Sequence, residues 1–259
     1  MKNLSLRTVT VMRYILPLRE GGSLPALAEA DDDFKYVIKF RGAGHGVKML
    51  ISELLGGMIA SKLELQIPEL VFANLDVDFG RMEADEEIQD LLKFSEGLNL
   101  GLHFLSGAIA YDSSITIDAV LASKIVWLDA FITNIDRTFK NTNLMIWHKE
   151  LWVIDNGASF YFHHSWQNFD AAAKTPFKYI KDHVLLSQAT QLREADLFAK
   201  EHLNDEFFRN LVDLIPDEWL QWNDTDETPD EIRQVYFQFM KTRLANSEIF
   251  LKEAENARR

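Results

Sequence analysis

Residues 136–157 constrain the fold more than any other stretch of this 259-residue chain. Asp136 precedes Asn141 by five positions, and two short apolar runs separated by a polar turn of three residues follow. Apolar runs of this length on either side of a polar turn predict a tight β-hairpin. The second strand leads directly into Asp155, so the sequence predicts that Asp155 returns to a position beside Asn141. The three segments of the hairpin are 144–147, 148–150 and 151–154.

The spacing of these polar residues is that of a kinase catalytic loop. In that loop an aspartate accepts the proton of the attacking hydroxyl, and an asparagine five positions later holds a magnesium ion. Asp155, followed by Asn156 and Gly157, stands where the Asp-Phe-Gly aspartate of a protein kinase would stand. Carboxylate and amide oxygens are hard ligands that suit magnesium. We therefore interpret Asp136 as a candidate catalytic base, and Asn141 and Asp155 as candidate magnesium ligands.

Lys39 lies in a β-prone run, Tyr-Val-Ile-Lys-Phe at 36–40, that is similar to the Val-Ala-Ile-Lys strand of protein kinases. The lysine of that strand pairs with nucleotide phosphates and is held by a glutamate on the next helix. Residues 47–63 repeat apolar side chains every three or four positions, which predicts a helix, and Glu53 lies on it. We therefore count Lys39 and Glu53 among the candidate catalytic residues, with Glu53 holding the lysine.

A glycine-bearing turn and a linker complete the candidate nucleotide site. Gly21, Gly22 and Ser23 lie between two apolar runs and predict the tip of a hairpin, where backbone N–H groups can approach phosphates. Phe104 and Leu105 close the alternating run at 98–105, and a linker at this place can offer backbone groups to adenine. The sequence therefore predicts nucleotide contacts from both segments.

Strand patterns come early in the chain and helical patterns come late. This order predicts an α+β, two-lobed protein kinase-like fold, with a small, mainly β N-lobe at 1–105 and a larger, mainly α C-lobe at 106–259. The last helix is predicted to begin with a capping box, formed by Thr228 and Glu231. The expected strands are 8–18, 26–28, 36–40, 69–75 and 98–105, and an acidic surface helix is expected at 83–94.

The net charge of −13 narrows the classes of partner. An acidic protein repels the phosphate backbone of nucleic acids and anionic membrane surfaces, so we expect no nucleic-acid binding by the protein alone and no membrane association. No stretch has the length and apolar composition that a signal peptide or a membrane span requires. Cysteine is absent, which excludes disulfides, thiolate metal sites and a cysteine nucleophile. Together these features favour a cytoplasmic protein.

Two other motifs have weaker interpretations. Glycine-rich residues 42–46 lie between a predicted strand and a predicted helix, as a dinucleotide-binding loop would, but their last glycine comes two positions after the second instead of three. His163 and His164 could suggest a metal site, but adjacent residues of an extended segment point to opposite faces. We therefore favour neither a dinucleotide site nor a histidine metal site.

Taken in order, these motifs resemble those of the HipA-like kinases, whose fold is similar to that of protein kinases and of phosphoinositide 3-kinase-like enzymes. The resemblance covers residues 9–162. It implies binding of ATP and Mg²⁺, with Asp136 as the base and Asn141 and Asp155 as metal ligands. It also implies a protein serine or threonine as the acceptor, and a small protein regulator encoded nearby as a partner. Ser23 lies in the loop that, in HipA-type serine/threonine kinases, can carry an inhibitory autophosphorylated serine.

Three functional classes remain open from the sequence. The first, which we expect, is an ATP- and magnesium-dependent phosphotransferase that acts on a protein substrate. The second is a pseudokinase or nucleotide-binding scaffold that regulates a protein partner, although the lysine, the base and both metal ligands are all present. The third and lesser alternative is a kinase for a small molecule or a lipid, which the net charge of −13 disfavours for anionic lipids.

Overall fold

A computed structural model describes residues 4–18, 24–44, 46–79, 85–222 and 225–259. The N-terminal part is rich in β-structure, and the C-terminal part is mainly helical. The described residues of the N-terminal part form five strands and two helices. In chain order these are β1 (Thr8–Pro17), β2 (Ala26–Ala30), β3 (Lys35–Lys39), α1 (Gly46–Lys62), β4 (Leu70–Leu75), α2 (Glu86–Phe94) and β5 (Gly97–His103).

The five strands close into a barrel in the order β1-β2-β3-β5-β4. Closure depends on β1 and β4, which pair in parallel, whereas the other neighbouring strands are antiparallel. Alternate side chains of a strand point to opposite faces. In β3 this alternation buries Tyr36 and Ile38 in the barrel core, while Val37 and Lys39 line the main cavity of the molecule. The strand that carries the candidate phosphate-binding lysine is therefore fixed by β2 on one side and β5 on the other.

Two features of the N-terminal part differ from the sequence predictions. β5 ends at His103, so Phe104 and Leu105 lie in the linker and not in the strand. The strand stops because the chain turns, with the N–H of Ala108 donating to the carbonyl of Leu105 at 3.1 Å. Helix α2 is more than a surface insertion, since Leu92 is buried in the barrel core. This helix therefore covers part of the barrel.

The described residues of the C-terminal part combine a small antiparallel sheet with six helices, joined by short 3-10 turns. The three strands of this sheet lie side by side in chain order. In chain order the elements are β6 (Ile109–Ala110), α3 (Ala119–Ile132), β7 (Leu144–Trp147), β8 (Glu150–Val153), α4 (Phe169–Ala173), α5 (Leu192–His202), α6 (Asp205–Val212), α7 (Pro229–Ala245) and α8 (Ser247–Arg258).

The hairpin of β7 and β8 is present, but its turn has two residues where the sequence predicted three. Trp147 pairs directly with Glu150, which leaves His148 and Lys149 as the turn. Both have positive φ angles, 49° and 69°, the backbone that a two-residue hairpin turn requires. Glycine and asparagine are the usual residues in such turns, so a His-Lys turn gives little signal in the sequence.

The capping box predicted for the late helix is confirmed at the start of α7. The N–H of Glu231 donates to the hydroxyl of Thr228, and the Glu231 carboxylate accepts the N–H of Thr228 at 2.8 Å. The expectation that this helix is the last one was wrong. Asn246 ends α7, and α8 begins at once with Ser247 and buries Phe250 against α3.

Helix α3 runs through the core of the C-terminal part and leads into the candidate catalytic loop. Asp118 caps its first turn by accepting the N–H groups of Val120 and Leu121, each at 3.0 Å. It ends at Thr133, whose φ of 59° turns the chain out of the helix. Asp129, in its last turn, is fully buried. A buried helix thus fixes the position of the loop that follows.

The two parts also contact each other far from the linker. Trp219 is fully buried, donates its indole N–H to the carbonyl of Leu98 in β5 at 2.9 Å and packs edge-on against Phe72 in β4. Beside it, Arg41 pairs with Glu218. Among the described residues, no helix combines the length and the apolar composition needed to cross a membrane.

Candidate active site

A cavity of about 800 Å³ lies between the barrel and the C-terminal part. Its walls come from β3, from the linker after β5, and from the loops on either side of the β7–β8 hairpin. Glu53 does not line the cavity, but it contacts Lys39, which does. The predicted site residues that line the cavity are Lys39, Phe104, Leu105, Asp136, Asn141 and Asp155. The predicted tip residues Gly21, Gly22 and Ser23 lie outside the described residues.

Lys39 joins two carboxylates at the wall of the cavity. Its Nζ donates to Glu53 Oε2 at 2.6 Å and to Asp155 Oδ1 at 2.7 Å. The side chains of Lys39 and Glu53 are 6% and 1% exposed, whereas that of Asp155 is 41% exposed. Glu53 Oε2 also accepts the backbone N–H of Asn156 at 3.0 Å. Glu53 therefore holds both the lysine and the backbone next to Asp155.

The charges in this cluster shift one another's pKa values. Burial lowers the pKa of Lys39, but the Asp155 and Glu53 carboxylates outweigh it and raise this pKa above its usual value. Burial acts to raise the pKa of Asp155, yet Lys39 holds that pKa below its usual range. Burial raises the pKa of Glu53, which shares its cation with Asp155. At neutral pH a protonated lysine thus lies beside an ionised Asp155.

Asp136 lies on the loop after α3 and is held by amide side chains. Its Oδ2 accepts the Nδ2 groups of Asn141 at 2.7 Å and Asn143 at 3.1 Å, and its backbone N–H donates to Asn134 Oδ1 at 3.0 Å. An ionised carboxylate only accepts hydrogen bonds, so the amide nitrogens of both asparagines must face it. Within the described residues no hydrogen bond uses Asp136 Oδ1. That oxygen can therefore take the proton of a bound hydroxyl group.

Asn141 and Asp155 both line the cavity, but no hydrogen bond joins them in the described structure. The backbone next to Asp155 is held to Asn143, because the N–H of Ile154 donates to the carbonyl of Asn143 at 3.1 Å. The Oδ1 of Asn141 and the Oδ2 of Asp155 have no hydrogen-bond partner among the described residues. An amide oxygen and a carboxylate oxygen facing one cavity are a donor set that fits magnesium.

Arg137, next to the candidate base, is 1% exposed. All three nitrogens of its guanidinium group donate hydrogen bonds. Its Nη1 donates to the carbonyls of Asn143 and of Ile154, the latter at 2.9 Å. Its Nη2 donates to Asn156 Oδ1 at 2.9 Å, and its Nε donates to Asp129 Oδ2 at 2.6 Å. Arg137 therefore contacts α3, the loop of the candidate base and both residues adjacent to Asp155.

Asp129 has a second partner, His183. The Nδ1 of His183 accepts the N–H of Leu185 at 3.0 Å, and its Nε2 lies 2.8 Å from Asp129 Oδ2. Because Nδ1 accepts, the proton of the imidazole is on Nε2, which donates to the carboxylate. Burial opposes ionisation of Asp129, but Arg137 and His183 together hold its pKa below the usual range.

Sequence reasoning missed four of these residues, Asn143, Arg137, Asp129 and His183. Asn143 gave one usable signal, since it lies two positions after Asn141 and alternate residues of an extended segment share a face. Arg137 is adjacent to Asp136 in sequence, but adjacency does not show what a side chain contacts. The pairing of Asp129 with His183 spans 54 positions, and no local pattern indicates it.

The linker residues Phe104 and Leu105 line the cavity, and both backbone groups of Phe104 are already hydrogen-bonded within the protein. The N–H of Phe104 donates to the carbonyl of Lys35 at 2.8 Å, and the carbonyl of Phe104 accepts the N–H of Ser106 at 3.0 Å. Within the described residues no hydrogen bond uses the N–H of Leu105, which lines the cavity. A heterocycle in the cavity could accept this N–H.

The two adjacent histidines also line the cavity, but they lie on a 3-10 turn, Tyr161–His164, and not on the extended segment assumed from the sequence. His163 is buried, and its Nδ1 lies 3.0 Å from the hydroxyl of Tyr236. Burial lowers the pKa of His163 well below its usual value, so this ring is neutral at pH 7 and serves as a packed core group.

The chain is similar to known kinases in its sequence pattern and in its fold. A family model for HipA-like kinases matches residues 11–250, which confirms the family expected from the motifs. A sequence search of curated proteins gave no match. One similar solved structure is that of the Helicobacter pylori proinflammatory kinase CtkA. The TM-score is 0.60 and the sequence identity 11%, over 97% of this chain and 99% of that chain, a likeness that shows a shared fold.

Proposed function

The chain belongs to the HipA-like kinase family, and we propose that it transfers the γ-phosphate of ATP to a hydroxyl group in a magnesium-dependent reaction. One observation carries this proposal. Lys39 lies between Glu53 and Asp155, at 2.6 and 2.7 Å, on the wall of a cavity that also contains Asp136 and Asn141. These are the residue types and the order that phosphoryl transfer uses in kinases.

The cavity suits a two-lobed arrangement with residues 1–105 as one lobe and 106–259 as the other. In this proposal the barrel supplies Lys39 and the linker supplies Phe104 and Leu105. The C-terminal part supplies the loops with the base and the metal ligands. The buried contact of Trp219 with β5 would then limit how far the lobes move apart.

Asp136 is proposed as the catalytic base. The acceptor oxygen forms a bond to the γ-phosphorus as the bond from that phosphorus to the bridging oxygen of ADP breaks, and the acceptor proton passes to Asp136. Asn141 and Asn143 donate to Oδ2 and so fix the carboxylate with Oδ1 unoccupied by other described groups. The two amides thereby orient the base without competing for the oxygen that takes the proton.

Lys39 is proposed to contact the phosphates of ATP, and Asn141 and Asp155 to hold Mg²⁺. A bound magnesium ion would neutralise charge on the phosphate oxygens. The raised pKa of Lys39 keeps it protonated at neutral pH, and the lowered pKa of Asp155 keeps that carboxylate ionised and able to act as a ligand. The cluster is therefore in the charge state that the reaction needs before ATP binds.

A serine or threonine of a protein is the acceptor that we favour. A net charge of −13 opposes approach to anionic lipid surfaces, where a phosphoinositide would be presented. A protein hydroxyl also needs no charge partner beyond the base.

The first prediction tests the base. Asp136→Asn keeps the size of the side chain and an oxygen that can accept from Asn141 and Asn143, but it removes the ability to take a proton. Transfer of labelled γ-phosphate to the chain itself or to lysate proteins should therefore fall at least about 100-fold. Asp90→Asn is the matched control, because Asp90 is exposed on α2 and does not line the cavity. Undiminished transfer in Asp136→Asn would show that the assignment of the base is wrong.

Nucleotide binding, measured on the same proteins by thermal unfolding, separates an enzyme from a scaffold. A ligand that binds only the folded state raises the melting temperature. Stabilisation by ATP that requires Mg²⁺, together with transfer, supports the kinase. The same stabilisation without transfer to any protein would favour the pseudokinase, and indifference to ATP with and without Mg²⁺ would exclude both nucleotide-dependent functions.

A further inference from the structure

One guanidinium group connects the loop of the candidate base to the segment of the candidate metal ligand. We propose that Arg137 is a positioning residue that fixes Asp155 relative to Asp136, and that Asp129 and His183 orient it for this task. This inference rests on the proposed function, because it assigns Arg137 a part in the phosphoryl-transfer reaction. Arg137 itself is buried, so it is not assigned a contact with either substrate.

Arg137 contacts the residues on both sides of Asp155 and the asparagine that binds Asp136. Its Nη1 holds the carbonyl of Asn143, whose side chain donates to Asp136. The same nitrogen holds the carbonyl of Ile154, and Nη2 holds the side chain of Asn156. Asp155 is therefore fixed through the residue before it and the residue after it, and the base is fixed through the asparagine that binds it.

The backbone at these places needs such support. Asn143 and Asp155 have φ angles of 46° and 55°, in the left-handed region. Asparagine and aspartate occupy this region more often than other residues with a side chain, but it remains uncommon for them. Conformations of this kind persist where surrounding contacts over-determine them. The two carbonyls that share Arg137 Nη1 belong to Asn143 itself and to Ile154, directly before Asp155. Arg137 thus stabilises both left-handed residues with one nitrogen.

The chain of contacts continues beyond Arg137 in both directions. On one side His183 donates to Asp129, and Asp129 accepts Nε of Arg137. On the other side the N–H of Asn156 donates to Glu53, which also accepts Lys39. Gly56 permits this approach of α1, because a Cβ at that position would lie 2.7 Å from the Cβ of Asn156. The candidate catalytic groups are thereby tied into one buried network.

The second prediction compares Arg137→Lys with Arg243→Lys, because both arginines are fully buried. Lysine keeps the charge but cannot reproduce the planar fork of donors. If Arg137 positions the reacting groups, Arg137→Lys should lower kcat at least about 30-fold and leave the KM for ATP within about threefold. Arg243→Lys should lower the melting temperature but keep kcat, since all hydrogen bonds of Arg243 go to backbone carbonyls of residues that do not line the cavity.

Amide hydrogen exchange gives a readout that needs no activity. The N–H groups of Ile154 and Asn156 are bonded to Asn143 and Glu53, so Arg137→Lys should speed exchange in segment 154–157 at least about tenfold, whereas Arg243→Lys should not. If the wild type transfers no phosphate, the proposed function fails and exchange alone decides the positioning role. Wild-type kcat in Arg137→Lys, an equal loss of kcat in both variants, or unchanged exchange would overturn the inference.

Discussion

Arg137 and Arg243 are 1% and 0% exposed, yet the two regions around them neutralise a buried cation in different ways. Near the cavity, Arg137 faces the carboxylate of Asp129. In the helical core, Arg243 donates only to backbone carbonyls. Those carbonyls belong to Ala130, Phe131, Ala172, Ala173 and Thr175.

The carbonyls around Arg243 come from the ends of two helices. Ala130 and Phe131 lie in the last turn of α3, and Ala173 is the last residue of α4. The last carbonyls of a helix lack internal partners and carry partial negative charge, so a buried arginine satisfies them and is stabilised by them. The ring of Phe250 lies 4.8 Å away and adds a cation–π contact. Burial lowers the pKa of Arg243 to about 9, so it remains charged at pH 7.

Arg137 therefore has a full countercharge beside the cavity, whereas backbone carbonyls near helix ends suffice to bury Arg243 in the helical core. Arg137 has a carboxylate on one edge and three acceptors from the site on the others. Removing the Asp129 carboxylate leaves the charge of Arg137 buried and unpaired. Removing Arg243 leaves only neutral carbonyls without donors.

The third prediction has the largest expected effect on stability. Asp129→Asn is nearly isosteric but leaves Arg137 buried without a countercharge, so the free energy of unfolding should fall by about 3–5 kcal/mol. Urea unfolding followed by circular dichroism measures it, with Asp90→Asn as the control for the same change at an exposed site. A loss below about 1 kcal/mol would mean that the carboxylate does not neutralise Arg137, and the contrast between the regions would disappear.

The fourth prediction concerns the other region. Arg243→Met removes the donor to the ends of α3 and α4 but fills most of its volume and leaves no charge unpaired, so the free energy of unfolding should fall by about 1–3 kcal/mol. The same urea titration measures it, with Arg259→Met at the exposed end of the chain as the control. A larger loss than that of Asp129→Asn would reverse the comparison.

The fifth and smallest effect is in the pH dependence. Asp129 has a pKa below its usual value in the folded protein, so its ionisation stabilises the fold above about pH 4 and this contribution is lost as pH falls through the lowered folded-state pKa. The stability gap between wild type and Asp129→Asn should therefore be constant from about pH 7 to pH 5 and narrow below about pH 4. The difference in stability between wild type and Arg243→Met should not narrow below about pH 4. If both differences narrowed in parallel, the pH dependence could not be assigned to the ionisation of Asp129.

Much of the site could be predicted from local sequence. Lys39 follows from a β-prone run that precedes a glycine-rich segment, because strand alternation decides which face a residue occupies. Asp136 and Asn141 follow from their spacing. The contact that holds the backbone next to Asp155 did not follow from spacing, since the N–H of Ile154 donates to the carbonyl of Asn143. The chain has left-handed backbone at Asn143 and Asp155. Asparagine and aspartate tolerate such angles better than other residues with a side chain, but this tolerance does not tell which of the many asparagines and aspartates adopt them.

The fold was predictable to a similar depth. Strands early and helices late gave a β-rich N-terminal part and a helical C-terminal part, which the structure has. Closure of the barrel was not predictable, because it depends on the parallel pairing of β1 with β4, about sixty residues apart. The contacts of Arg243 with α3 span 112 and 113 positions. Such pairings are decided by tertiary packing, which a sequence window does not contain.

The closure of the barrel also determines the order in which strands can pair while the chain is being synthesised. β1 is made first, but its parallel partner β4 ends at residue 75 and β5 ends at residue 103. Lys39 can pair with Asp155 only after the next 116 residues have been synthesised. A ribosome-bound chain must therefore keep its first strand incompletely paired until residue 75 has emerged. It can form the lysine–aspartate contact before helices α4 to α8 have been made.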